Sequence, residues 1–196
     1  MNKMSLIVWV AGLIVTMVNA QEKPHIVYVN ADDLGVMDVG FNNANYHTPN
    51  LDRLRAEGML FTNAYAPSAN CAPSRACVFS GQYGPRHGVY TVNNSDRGSA
   101  EHRKLIPIKN TRHLDPSILT MAGALQQAGY KTIHLGKWHL GDDPTKQGFD
   151  INVGGSAAGG PGHNYYKPAK IKNLQKYGRN YPPNTHTADV FAGEAV

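Results

Sequence analysis

The sequence predicts an α/β fold in which a mostly parallel sheet is flanked by helices within one domain. Three observations carry this. The run Ile26-Val27-Tyr28-Val29 is apolar at consecutive positions, the pattern of a strand buried on both faces. Asp115-Pro116-Ser117 then opens a helical stretch with Leu119, Ala122, Ala124 and Leu125 on its buried face and Gly129 as its stop. Tyr130 to Leu135 reads as a second strand, and strand, helix, strand in this order means a right-handed parallel crossover. In open sheets of this kind ligands gather outside the carboxyl ends of the strands.

Bulk properties agree with one globular domain. The chain has 196 residues, 41% hydrophobic and 17% charged, which excludes a disordered or coiled-coil protein. Residues 1–20 read as a signal peptide: Lys3 gives a positive start, Leu6 to Val18 is apolar, and Val18-Asn19-Ala20 is a small-residue cleavage site. A membrane anchor is the alternative, but the run is shorter than the roughly 20 residues a spanning helix needs. After cleavage no segment crosses a bilayer, and residues 21–196 form the mature domain, exported to the periplasm or outside the cell. The formal charge is +5, one unit of it from Lys3. Lys167, Lys170, Lys172, Lys176 and Arg179 form the densest basic region, which reads as an anion-facing surface or as an ordinary solvated face. No basic-aromatic pattern argues for nucleic acid.

In chain order, the first strand ends in Asp32-Asp33. Successive strand side chains point to opposite faces, so both carboxylates share a target only if the backbone leaves strand geometry. At about 4 Å and an effective dielectric of about 20 they repel by about 4 kcal/mol, so a shared site needs a cation. Oxygen donors favour a hard ion, calcium or magnesium. Thr48-Pro49 caps a short helix that carries Leu51 and Leu54 on one face and ends at Gly58. Met59-Leu60-Phe61 reads as another apolar strand.

Cys71 then precedes Ala72-Pro73 and is placed to cap a helix running toward Gly81. The unpaired N–H groups and dipole of that helix end favour developing negative charge at the cysteine side chain. Arg75, one turn on, reaches over the same end. In an oxidising compartment two cysteines suggest a disulfide. On one helix, however, Cys71 and Cys77 have Cα atoms about 9 Å apart, beyond the bridging limit of about 7 Å.

Gly84 to Ser99 reads as loop. After the Tyr130–Leu135 strand comes Gly136-Lys137-Trp138-His139-Leu140-Gly141, where Lys137 and His139 share a face in extended backbone and Trp138 points away. A cation beside an imidazole binds an anion and manages its protons, although an exposed lysine next to a hydrogen-bonded histidine reads the same way. His134 and His139 lack zinc spacing. Gly154 to Gly162 is a flexible loop, and Thr187 caps a last helix carrying Val190, Phe191, Ala195 and Val196.

Three separated motifs together resemble the type I sulfatases: Asp32-Asp33 after the first strand, Cys71-Ala72-Pro73-Ser74-Arg75 with Gly81 behind it, and Gly136-Lys137-Trp138-His139-Leu140-Gly141. The resemblance implies an alkaline-phosphatase-like fold and hydrolysis of sulfate esters, with sulfated carbohydrate as the expected substrate class. It implies calcium, with magnesium second, held by Asp32, Asp33 and the group at Cys71. Cys71 is expected to be oxidised to formylglycine by a formylglycine-generating enzyme and to act as nucleophile. Arg75 would hold the hydrate and the sulfate, Lys137 would neutralise sulfate oxygens, and His139 would handle the hydrate's proton. The family also uses an acidic-plus-amide pair, another histidine and another lysine, for which no residue before Val196 is a match. The chain is therefore expected to be the amino-terminal part of such an enzyme, weakly active or inactive alone. Three other readings compete: a phosphate or phosphonate ester hydrolase of the same superfamily, a non-catalytic protein that binds sulfated glycan, and a thiol protein using Cys71 directly.

Overall fold

The computed structural model describes residues 23–196, so the expected signal peptide lies outside the described residues. The chain divides into two units, residues 1–34 and residues 35–196.

In the first unit, the described residues form neither helix nor strand, contrary to the sequence expectation. Ile26, Val27, Tyr28 and Val29 are all more than half exposed. The physical reason is that a doubly buried strand exists only between sheet neighbours, whereas the parallel ladder of this chain joins two other segments. Asp33 has φ 57°, a left-handed backbone that few residues other than glycine adopt. The acidic pair therefore does not lie in strand backbone.

The second unit begins with turns that lead to α1 (Pro49–Glu57), entered at Thr48 and left at Gly58. The Thr48 hydroxyl makes no cap. It accepts from the Gly40 N–H at 2.7 Å and donates to Asp52 Oδ1 at 3.1 Å, stitching the preceding loop to the helix. Leu51 and Leu54 are exposed, and so is 59–61, which forms no strand among the described residues, contrary to the sequence expectation.

Next comes α2 (Cys71–Ser80), whose N-cap is extended Asn70 and whose C-cap is Gly81 at φ 65°. Cys71 is therefore the first helical residue rather than the cap, because Asn70 already gives its carbonyl to the Ser74 N–H. The left-handed stop at Gly81 is one that glycine takes at no steric cost. One helical turn, α3 (Gly84–His87), occupies the start of the segment expected to be loop.

The helix expected from Asp115 begins later, as α4 (Met121–Gln127). Asp115 Oδ1 instead accepts from the Ser117 N–H at 2.8 Å, making a turn, and Thr120 caps the helix by accepting from Gly123 N at 3.1 Å. This shift leaves Leu119 and Ala124 exposed and only Ala122 fully buried. The strand expected over 130–135 is observed as β1 (Ile133–Leu135), and it pairs in parallel with β2 (Ile151–Val153), a strand the sequence did not announce. The register sets His134 beside Asn152. Helices α5 (Leu174–Tyr177) and α6 (Thr187–Glu194) follow; α6 is capped by His186, one residue before the expected Thr187.

Two cores hold this unit. One joins Ala72, Ala76 and Phe79 of α2 to Val89, Leu114, Trp138 and Leu140. The other joins Val153 of β2 to Leu174 of α5 and Val190 of α6. The chain is mixed α/β with a small parallel sheet, and the first core fixes the cysteine-bearing helix against the segment that follows β1.

Candidate active site

The site is built on that first core. Trp138 is wholly buried and packs on Phe79 with ring centroids 4.9 Å apart. Leu140 is buried too, while Lys137 before Trp138 and His139 after it are half-buried, so burial alternates as the sequence predicts. The extended path ends at His139, whose φ is 64°. Apolar burial of Trp138 and Leu140 thus sets where Lys137 and His139 sit.

Arg75 links the two motifs directly. Its side chain is buried, and Nη1 donates to the Lys137 carbonyl oxygen at 2.6 Å. A buried guanidinium requires acceptors in place, and this charge-assisted bond supplies one. Cys71 lies one turn before Arg75 on α2 and is half-buried. It stands in the first turn, where the N–H groups of Cys71 and Ala72 have no intrahelical acceptor. Such a position favours negative charge.

Residues not assigned from the sequence complete the surroundings. His134 is buried, makes a T-shaped contact with Trp138 at 5.3 Å, and hydrogen-bonds to the Lys137 backbone. Burial, and then the Arg75 charge, pull its pKa down from 6.5 to about 4, so the ring is neutral at physiological pH. Asn152, opposite it on β2, is fully buried and brackets Gly155: Oδ1 accepts from the Gly155 N–H and Nδ2 donates to the Gly155 carbonyl. The only sequence signal for these residues was polarity within apolar strands.

Cys77 and His87 form a second unassigned pair. His87 Nδ1 accepts from the Val89 N–H at 3.1 Å, which places the ring proton on Nε2, facing Cys77 Sγ at 3.3 Å. Burial pushes the Cys77 thiol up and the His87 imidazole down, so both are neutral and the pair pins α3 to α2. Both cysteines are free, as their shared helix requires.

Asp32 and Asp33 belong to the first unit. Two hard carboxylates at a backbone break fit part of a calcium shell by donor chemistry. Among the described residues, no three His, Cys, Asp or Glu side chains gather as one metal-binding group.

Comparison with known proteins accounts for this arrangement. The sulfatase family model matches residues 24–193. The N-acetylgalactosamine-6-sulfatase of Mus musculus is 37% identical over 183 residues, covering 87% of this chain and 34% of its own. The N-acetylgalactosamine-6-O-sulfatase of Bacteroides thetaiotaomicron is 39% identical over 132 residues, covering 67% of this chain and 23% of its own. Among solved structures, Ps i-CgsB in complex with k-i-k-neocarrahexaose aligns with TM-score 0.53 and 33% identity over 80% of this chain and 32% of that one. The fold is that of the sulfatases, alkaline-phosphatase-like. This chain spans about a third of the length of the curated mammalian relative cited above. With the family model covering most of its length and its cysteine helix tied to its Lys-Trp-His segment, the chain belongs to the sulfatase family.

Proposed function

We propose that this chain serves the hydrolysis of sulfate esters of carbohydrates, with Cys71 converted to formylglycine and calcium held by Asp32 and Asp33. The observation that carries the reading is the Arg75–Lys137 contact, because it joins the nucleophile's helix to the cationic segment. A sulfate monoester is ringed by negative oxygens, so attack at sulfur requires that charge to be quenched. Calcium would supply Lewis acidity toward those oxygens. A hydrated aldehyde at residue 71 would offer two hydroxyls on one carbon, one to displace the alcohol and one to release sulfate.

The chain's own residues do the rest. Lys137, with its backbone held by Arg75 and His134, presents an ammonium to sulfate oxygens. Arg75 fixes the orientation of this segment and adds positive charge behind it. His139 moves the proton of the nucleophilic group; its backbone N–H is tied to the Ser156 carbonyl, and Gly159 of the same loop lies close against its ring. Residues 1–20 act as an export leader, and no helix among the described residues is long and apolar enough to cross a membrane.

Sulfated carbohydrate is favoured as substrate by the names of the relatives and by the oligosaccharide in the Ps i-CgsB complex. The test is co-expression with a formylglycine-generating enzyme, followed by the mass of the peptide around residue 71 and aryl sulfate turnover with and without a calcium chelator. A lowered mass, fewer labelled thiols and chelator-sensitive turnover are expected; weak turnover by this chain alone fits the reading, whereas an unmodified Cys71 in active material sinks it. Faster turnover of an aryl phosphate than of the sulfate would assign the chain to phosphate ester chemistry.

A further inference from the structure

The loop over His139 leads to an aromatic surface that the mechanism does not use. The His139 N–H donates to the Ser156 carbonyl at 2.9 Å. Gly159 lies so close to the imidazole that a Cβ there would fall 2.9 Å from Cε1, so only glycine lets the backbone approach. A turn closed by Asn164 N to the Pro161 carbonyl then delivers Tyr165 and Tyr166. Tyr165 is six positions beyond Gly159, so the chain itself confines Tyr165 to within about 20 Å of the His139 loop contact.

Both tyrosine rings are at least half exposed, at 50% and 58%. They are nevertheless held in place by His186. Tyr165 lies nearly parallel to the imidazole, at 15° and 6.1 Å, and Tyr166 meets it edge-on at 5.0 Å. The Tyr165 carbonyl accepts from the Thr187 N–H at 2.8 Å, and His186 Nδ1 accepts from the Ala188 N–H at 3.1 Å. That second bond leaves the ring proton on Nε2. Ordered, amphipathic rings give large contact area at small entropic cost.

The stretch of chain that carries them is basic, with Asp189 just beyond it in the first turn of α6. Between Asp150 and Asp189 the sequence holds five Lys or Arg residues and no Asp or Glu. Lys172 is turned to the Asp142 carbonyl and Lys176 lies over the Tyr177 ring, while Lys167 and Lys170 lie on the turn that follows the tyrosine pair. Aromatic faces pack against the C–H faces of pyranose rings, and ammonium groups meet sulfates. We propose that Tyr165, Tyr166 and His186 form a stacking subsite for a sugar unit of a sulfated oligosaccharide, with Lys167 and Lys170 meeting its sulfates. The subsite rests on the carbohydrate-sulfate reading above and deepens it to a preference for oligosaccharide over small sulfate esters.

The test is calorimetric titration of the chain with a chondroitin 6-sulfate hexasaccharide and with its desulfated form. The paired substitution Tyr165→Ala and Tyr166→Ala is expected to weaken binding at least about tenfold, the loss typical of truncated aromatic anchors. Tyr165→Phe with Tyr166→Phe keeps the rings and is expected to keep binding within about threefold, which separates a lost platform from a misfolded chain. Lys167→Ala with Lys170→Ala is expected to weaken the sulfated probe more than the desulfated one and to reduce the salt dependence. Absence of binding by the unaltered chain, or undiminished binding by the paired alanine variant, overturns the subsite. Aryl sulfate turnover is read in parallel: if it persists while the subsite fails, the sulfatase reading stands alone. If ring-dependent binding persists while Cys71 stays unmodified in active material, the subsite stands and the formylglycine reading falls.

Discussion

Arg75 Nη1 and the Lys137 carbonyl oxygen are 2.6 Å apart, although 62 positions separate the two residues in sequence. His134 hydrogen-bonds to the same Lys137 backbone. Two buried side chains therefore set the position of a residue whose own side chain is only half-buried.

Removing that guanidinium takes one of two donors from the Lys137 carbonyl and empties a buried site. Arg75→Ala is expected to lower stability by about 2–3 kcal/mol in urea denaturation. Arg75→Lys restores the charge without the planar fork and is expected to recover less than half of the loss.

The two cysteines are expected to differ in reactivity. In the folded, unmatured chain a small thiol reagent labels Cys71 quickly and Cys77 only on unfolding, since Cys77 is 7% exposed with a raised pKa. Cys71→Ser is expected to change stability by under about 0.5 kcal/mol, and Cys77→Ser to cost about 1–3 kcal/mol, because burial desolvates the hydroxyl and leaves it His87 as its side-chain partner. Mass mapping of labelled peptides and urea midpoints check both.

Stability is expected to fall on acidification. The folded His134 ring titrates at about 4 against 6.5 when free, so the unfolded chain takes up its proton first. The resulting loss begins as pH drops below 6.5, is complete by about 4, and amounts to no more than about 3 kcal/mol. His87, also held below its usual value, adds in the same direction. His134→Gln is expected to flatten the profile of urea midpoint against pH between those limits.

Trp138→Ala is expected to cost about 3–5 kcal/mol, because the indole is wholly buried among Phe79, His134 and Phe149. The chain has two tryptophans, and the other, Trp9, lies in the expected leader. Fluorescence of a chain beginning at residue 21 therefore reports Trp138 alone, and its unfolding transition should coincide with loss of helicity.

The cysteine helix was legible because punctuation marks it: a proline in its first turn and a glycine that takes the left-handed stop. The alternation around Trp138 was legible because large and charged residues succeed one another, and burial follows them as far as Leu140. β2 was not, because Ile151-Asn152-Val153 has a polar centre that becomes acceptable only through its bonds to Asp143 and Gly155. The late start of α4 was hidden because Asp115 and Thr120 are both good cap residues, and the choice between them is made by the turn at Ser117 and by the Thr120 bond to the Gln147 carbonyl. His186 was passed over as a cap because a histidine rarely serves as one. Ile26 to Val29 shows the opposite failure: a local preference for strand says nothing about whether a neighbour exists to pair with.

That run, and separately Met59 and Phe61, bear on how this material behaves in a test tube. Short uncharged β-prone windows open to solvent are adhesive between molecules. Mutual repulsion from the +5 charge keeps copies apart at low ionic strength, and added salt screens it. Turbidity should consequently rise with concentration and with salt, and a lysine placed at Val27 or Phe61 should delay it.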